Sequence, residues 1–321
     1  MTKLDSIKDS IAPHLSRLNL LIREKLASDN PLMSTVIETF LTTKGKQIRP
    51  IIVMLCARMA GGITDRVLNA AAAVELLHNA SLIHDDVIDE SKLRRNKPTL
   101  NAIWDNHIAV LVGDYFVSTA LQFAISTSDL RIVEEIGRLG KMLSLGEIDQ
   151  IYNAREHTLT EESYFKIINL KTASLFVACA RTGCYASNAS PELTEALSKI
   201  AELLGLCFQI RDDIFDYFHS EEIGKPSGND LREGKITLPL LHVLLDDSLP
   251  QYAEMNRLAA ADEFSEEDIK TLYAYARDNG GIDYAYSVME SLRDEAGKIA
   301  ATLPDASRLM AIFDYIIERK S

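Results

Sequence analysis

Two stretches of like form carry the residues best suited to chemistry: His84-Asp85-Asp86-Val87-Ile88-Asp89 and Arg211-Asp212-Asp213-Ile214-Phe215-Asp216. Each closes an apolar run with a helical period. Side chains four apart on a helix project side by side, so Asp85 stands above Asp89 and Asp212 above Asp216. Carboxylates packed this closely repel unless protons or cations compensate. Two such patches facing one another across a cavity would form an oxygen-rich cage for Mg2+, which binds a few carboxylates while holding substrate phosphates. One copy reads about equally well as a solvated helix end. Two copies, each followed by basic residues, argue for a site.

The surrounding faces extend the pattern. His78 lies two turns before Asp85, about 20° away around the axis, and Ser81 lies one turn before. His78, Ser81, Asp85 and Asp89 therefore share a face, as do Gly205, Gln209, Asp212 and Asp216 on the later helix. Polar groups along an otherwise apolar helix predict a lined cavity. Cations follow. Lys46 and Arg49 precede an apolar helix, Arg94 and Arg95 follow the first cluster, Lys171-Thr172 interrupts an apolar helix, and Lys225 and Lys235 follow the second cluster. Each alone reads as a surface charge. Together with two carboxylate patches they predict two anion sites, one bridged by Mg2+ and one held directly by Lys and Arg, whose guanidinium fork binds two phosphate oxygens at once.

The elements that must hold these residues read as helices almost throughout. Val74, Leu77, Ala80, Ile83, Val87 and Ile88 follow steps of three and four. Ser190-Pro191-Glu192, Ser265-Glu266-Glu267-Asp268 and Thr160-Glu161-Glu162 are helix starts. Nothing reads as a strand. Residues 90–98 and 219–235 are polar, rich in turn formers, and predicted as loops at the site's mouth. No linker or composition step divides the 321 residues. The expectation is a single-domain, all-α bundle of ten or more helices over 1–321, with a central cavity.

Composition narrows the function. A formal charge of -13 excludes a broad nucleic-acid surface, while bound metal can still reverse the field locally for an anionic substrate. Cys56, Cys179, Cys184 and Cys207 lack metal or redox spacing and read as core thiols. No apolar run is read as approaching the ~20 residues of a transmembrane helix, and the first residues lack a signal-peptide pattern, so the expected location is cytoplasmic.

In combination, KGKQIRP (44–50), ELLHNASLIHDDVIDE with the paired arginines three residues on, LKTASLF (170–176), and CFQIRDDIFDYF with the following GKPSGNDLREGKITLPLL resemble the trans (E-type) polyprenyl diphosphate synthase family over about residues 40–245. The resemblance implies the all-α isoprenoid (terpenoid) synthase fold and Mg2+-dependent condensation of isopentenyl diphosphate onto an allylic diphosphate primer, in a homodimer. By resemblance, Asp85, Asp86, Asp89, Asp212, Asp213 and Asp216 bind Mg2+ bridged to the allylic diphosphate. Lys46, Arg49, His78 and Arg95 bind isopentenyl diphosphate. Arg94, Lys171, Thr172, Gln209, Lys225 and Lys235 contact the allylic diphosphate. Two departures stand out: Lys44-Gly45-Lys46-Gln47 replaces the family's Gly-Gly-Lys-Arg, and Asn96 replaces a glycine.

Ala80 and Ser81, one turn before Asp85 and both small, form with Leu77 the expected floor beneath the growing chain. An aromatic residue here marks short-chain members of the family. The expectation is an all-trans C30–C40 product of the kind used for quinone side chains. Geranylgeranyl or farnesyl diphosphate synthase is the alternative, and a non-catalytic helical subunit of a prenyl synthase is the alternative of another class. A class I cyclase is disfavoured, because its second metal motif differs and it lacks the Lys46/Arg49/His78 set.

Overall fold

The computed structural model describes residues 3–42, 46–94, 97–156, 159–218, 228–261 and 263–319. Among them are seventeen α-helices, one short π-helical turn and a single pair of two-residue strands. By internal contacts the chain forms two compact units, the first built from 1–141, 175–201 and 299–312, the second from 142–174, 202–298 and 313–321.

The first unit is organised on helix Asp65–Ile88. Its small residues, Ala70 to Ala73 and Ala80, are buried together with Val74, Leu76 and Ile83. Small side chains let neighbouring helices approach, and the most extensive packing is against helix Asn106–Ser126, followed by helix Ile48–Ala60. The contact is closest at Gly113, where a Cβ would sit 2.2 Å from His84 Nε2. Any side chain there displaces the histidine that precedes the first aspartates. Gly183 does the same for helix Ser174–Ala186, its position lying 2.4 Å, on the same measure, from the Val53 carbonyl.

Helix Asn106–Ser126 corrects one expectation. By length and composition it suffices to cross a membrane, with 44% of its apolar window buried in the protein. Its inward residues, among them Val112, Phe116, Ala120 and Phe123, are core, while Leu111, Leu121 and Ile125 remain exposed. Asp114 and the scattered Ser, Thr and Gln interrupt the apolar run in sequence without lowering its overall character.

A second correction concerns residues 90–98. Leu93–Arg94 and Lys97–Pro98 pair antiparallel, Leu93 opposite Pro98 and Arg94 opposite Lys97. Elements of two residues carry no periodic signal. The pairing is pinned instead by Thr99, whose N–H donates to the Lys92 carbonyl (3.1 Å) and whose hydroxyl donates to the Ser91 carbonyl (2.8 Å).

In the second unit, helix Pro191–Asp216 carries the second aspartates at its C-terminal end. A separate apolar cluster in this unit comprises Leu240, Val243, Leu244, Leu272 and Ala276, with Tyr217 and Ile236 packed against it. The Ser265 capping box forms with Asp268, and Thr160 makes a full box with Ser163 rather than the simple cap its sequence suggests. Ser163 was overlooked because the usual partner at that position is Glu or Gln.

Candidate active site

In the first unit the aspartates sit where helix Asp65–Ile88 ends. Asp89 caps it, its N–H donating to the Asp85 carbonyl at 2.8 Å. Asp85 and Asp89 are half-buried and Asp86 is buried. Arg94 Nε donates to Asp86 Oδ1 at 2.9 Å, and Asn101 Nδ2 donates to the Asp86 carbonyl at 3.1 Å. Arg94, expected on diphosphate, thus rests on a carboxylate of its own cluster. This ion pair tethers the hairpin to the helix end.

Other predicted residues of this unit fall as follows. His78 and Leu77 are buried, Ala80 is fully buried, and Ser81 is half-buried with its hydroxyl donating to the His78 carbonyl at 2.9 Å. Lys46 is exposed just before helix Ile48–Ala60, and Arg49 places its guanidinium 5.9 Å from the Phe176 ring. Gln47, the departure from the family pattern, adopts a left-handed backbone (φ 53°), and its side-chain amide donates to Asn19 Oδ1 at 2.8 Å. Gln47 thus holds this turn through a neutral hydrogen bond to helix Ala12–Leu26, where the family's arginine would bring a charge. Arg95, like Asn96, lies outside the described residues, as does Lys225 in the second unit.

The second unit brings its predicted residues into one connected network. Thr172 Oγ1 donates to Gln209 Oε1 at 2.6 Å, and Gln209 Nε2 donates to Asp213 Oδ1 at 2.8 Å. Tyr164 donates its hydroxyl to the other Asp213 oxygen. Lys171 lies in the π-helical turn Asn169–Ala173, a local irregularity of the kind that recurs at functional sites. Its ammonium pairs with Glu147 and reaches Gln150 Oε1 at 3.2 Å. Gly146 permits that approach, since a Cβ there would lie 2.9 Å from the Lys171 backbone nitrogen.

The three aspartates of the second cluster face different partners. Asp212 pairs with Arg319. Asp216 accepts backbone N–H groups from Asn229 (3.1 Å) and Asp230 (3.0 Å), and the Tyr273 hydroxyl as well. Asp213 is buried, and its carboxyl is pushed up to about 7, first by burial and then by Asp212 and Asp216, against the hydrogen bonds from Tyr164 and Gln209. Asp230 is driven well above its ordinary value by burial and by Asp213 and Asp216, with Lys235 opposing. Among the described residues no three His, Cys, Asp or Glu side chains converge as a ready-made metal cage. The donor chemistry nevertheless fits a hard divalent ion. Mg2+ takes one or two carboxylates, several waters and substrate phosphates. A carboxylate has about four acceptor positions, of which Asp213 uses two.

Sequence reading missed Tyr164, Glu147, Gln150, Arg319, Tyr273 and Asp230. Only Glu147 and Gln150 left a signal, at i and i+3 on a helix of otherwise apolar face. The others join the aspartates from separate stretches of the chain.

Two results follow. Tyr164→Phe strips a buried carboxylate of a donor and is expected to cost about 1–3 kcal/mol of stability by urea denaturation. The raised Asp213 carboxyl also sets a pH dependence in metal-free protein. Between its unfolded value, about 3.9, and about 7, the folded chain holds a proton that the unfolded chain has lost. Stability from this group is therefore full below that window and falls as pH rises through it. The urea midpoint should drop less between pH 5 and 8 in Asp213→Asn than in the native protein.

Over residues 30–276 the chain matches the family described as polyprenyl synthetase. It is 34% identical over 303 residues to the octaprenyl diphosphate synthase of Escherichia coli K12, covering 94% of each chain. The crystal structure of a polyprenyl synthase from Caulobacter crescentus CB15, complexed with calcium and isoprenyl diphosphate, is similar with a TM-score of 0.92 at 32% identity, covering 99% of this chain and 98% of that one. A geranylgeranyl pyrophosphate synthase from Bacteroides thetaiotaomicron is similar with a TM-score of 0.85 at 36% identity, covering 99% of both chains. The all-α architecture is thus the isoprenoid synthase fold. With its ordered motifs, its fold and its sequence all in agreement, the chain belongs to the polyprenyl synthetase family.

Proposed function

We propose that the protein is a Mg2+-dependent trans-prenyltransferase that condenses isopentenyl diphosphate onto an allylic diphosphate, building an all-trans polyprenyl diphosphate of C30–C40 length in the cytoplasm. The observation that carries this reading is the network in the second unit. Lys171, Thr172, Gln209, Asp213 and Lys235, drawn from three separate stretches, all line one cavity.

Metal binding for the allylic diphosphate is assigned to Asp85, Asp86 and Asp89 in the first unit and to Asp212, Asp213 and Asp216 in the second. Bound divalent metal would join these carboxylates to the leaving group and offset its developing negative charge. Lys171 and Lys235, with Arg94, Thr172, Gln209 and Lys225, orient the diphosphate so that its C1–O bond ionises against fixed positive charge. Lys46, Arg49, His78 and Arg95 hold the second diphosphate, and the double bond of that substrate attacks the allylic cation. A diphosphate oxygen accepts the proton then lost. The apolar lining excludes water that would quench the cation.

The second copy of a homodimer is assigned to helix Asn106–Ser126. Leu111, Leu121 and Ile125 are exposed at helical spacing there, and an apolar stripe of this kind marks an interaction surface. Ile125→Lys together with Leu121→Glu should yield monomer by sedimentation velocity, and an unchanged dimer would remove the assignment.

Incubation of pure protein with labelled isopentenyl diphosphate, C10, C15 or C20 primer and Mg2+ tests the main reading. Incorporation into one long product supports it, and none with any primer sinks it. The 36% identity to a geranylgeranyl pyrophosphate synthase favours a C20 product as the second reading, and mass analysis separates the two.

A further inference from the structure

Helix Pro191–Asp216 carries Phe208, Arg211, Asp212 and Phe215 in its last turns, at steps of three and four that make them neighbours on its surface. Arg319, just past helix Ser307–Glu318, packs onto them. Its side chain is only 9% exposed, and its guanidinium lies over the Phe208 and Phe215 rings at 4.4 and 5.2 Å. Arg319 Nη2 donates to Asp212 Oδ1 and, at 3.4 Å, to the Phe208 carbonyl. Its Nε is buried without a hydrogen-bond partner. No step above uses this residue.

The backbone fixes it in place. Arg211, itself buried, donates to the Arg319 carbonyl through Nε (3.2 Å) and Nη2 (2.5 Å). Its Nη1 donates to the Tyr286 hydroxyl, and its guanidinium lies over the Phe215 and Tyr286 rings at 4.4 and 5.2 Å. Two guanidiniums therefore sit against the Phe215 ring. Among the described residues, the carboxylate paired with either of them is that of Asp212. Asp213 and Asp216 instead accept hydrogen bonds from neutral hydroxyl, amide and backbone donors. Within one motif, Asp212 alone carries a fixed counter-charge.

A guanidinium and a divalent cation on one carboxylate repel. Even at the dielectric constant of water, a unit charge about 6 Å from a dication changes its binding about tenfold, and more where water is excluded. Freeing Asp212 to rotate acts in the opposite direction but is worth severalfold at most, roughly. Charge decides the sign.

We propose that Arg319 is a positioning residue that acts through Asp212 to hold down the divalent-metal affinity of the second cluster, so that metal is held firmly there only when a diphosphate adds its own oxygens and negative charge. The proposal rests on the assignment of that cluster to metal in the prenyltransferase reading. Arg211 reinforces the effect by clasping the Arg319 backbone and adding a second positive charge.

The test titrates Mn2+ into native protein, Arg319→Met, Arg319→Gln and Arg319→Lys, without diphosphate, and follows free Mn2+ by electron paramagnetic resonance. Met keeps the contact with the two rings, Gln keeps a donor for Asp212, and Lys keeps the charge. Asp212 is 41% exposed at its side chain, so water can solvate it once the guanidinium is gone. Arg319→Met and Arg319→Gln should each tighten Mn2+ binding about tenfold or more, while Arg319→Lys should stay within about threefold of native. In an Asp212→Asn background the gain should vanish, since the effect passes through that carboxylate. A residue that merely supports the fold would loosen metal binding when replaced. Unchanged or weaker Mn2+ binding in both neutral variants, or a gain that survives Asp212→Asn, overturns the proposal. The titration needs no turnover: if no primer yields product, the function reading fails by itself, and Mn2+ binding still decides this one.

Discussion

Asp85→Asn and Asp212→Asn are each expected to lower kcat/KM by roughly 10³-fold, the scale seen when one preorganised electrostatic contact to a developing charge is removed. The substitution keeps shape and removes one negative charge, so circular dichroism and the urea midpoint should stay near native. Asp212 needs a control, because its carboxylate pairs with Arg319, whose guanidinium lies against the Phe208 and Phe215 rings at 4.4 and 5.2 Å. Were that pairing the true source of the loss, Arg319→Met would reproduce it. The expected result is that Arg319→Met costs less than about tenfold, while Asp212→Asn costs its full factor. A variant of Asp85 or Asp212 retaining more than about a tenth of native activity would remove the metal role assigned to that cluster.

Ser81→Phe is expected to shorten the product by two or more isoprene units, read by mass spectrometry of the dephosphorylated polyprenols. Ser81 lies one turn below Asp85 and is half-buried. A phenyl ring at that position stands in the path expected for the tail. Ala80→Phe is the poorer probe. Ala80 is fully buried, and enlarging a packed core position costs about 1–3 kcal/mol through strain alone. The two variants should therefore part company, with Ser81→Phe changing the product at nearly native stability and Ala80→Phe losing stability as well. An unchanged product from Ser81→Phe would move the chain-length floor away from this face.

How much could be read in advance differs between the two aspartate clusters. Residues 74–88 announce a helix because apolar side chains recur every three or four positions, and the structure forms that helix over Asp65–Ile88. On the later helix the same geometry groups Gln209 with Asp212 and Asp216, whereas its amide in fact donates to Asp213, four residues on. The hairpin at Leu93–Arg94 and Lys97–Pro98 was invisible because two-residue strands have no period to detect. The family resemblance puts Arg94 on substrate diphosphate, and nothing in its neighbouring residues shows that Asp86 holds it.

Determined by the sequence alone were the helical class, the paired acidic motifs and the set of cations suited to diphosphate. These depend on residue type and on spacings of a few positions, which helical geometry converts directly into shared faces. Tertiary structure alone decided that Tyr164 donates to Asp213, that Glu147 pairs with Lys171, that Arg319 reaches Asp212, and that an apolar cavity continues beyond the lysines. Those partners are separated by 24 to 107 positions in the chain. Contacts over such distances arise from packing and from the desolvation of groups buried together, and no local pattern of residues encodes them.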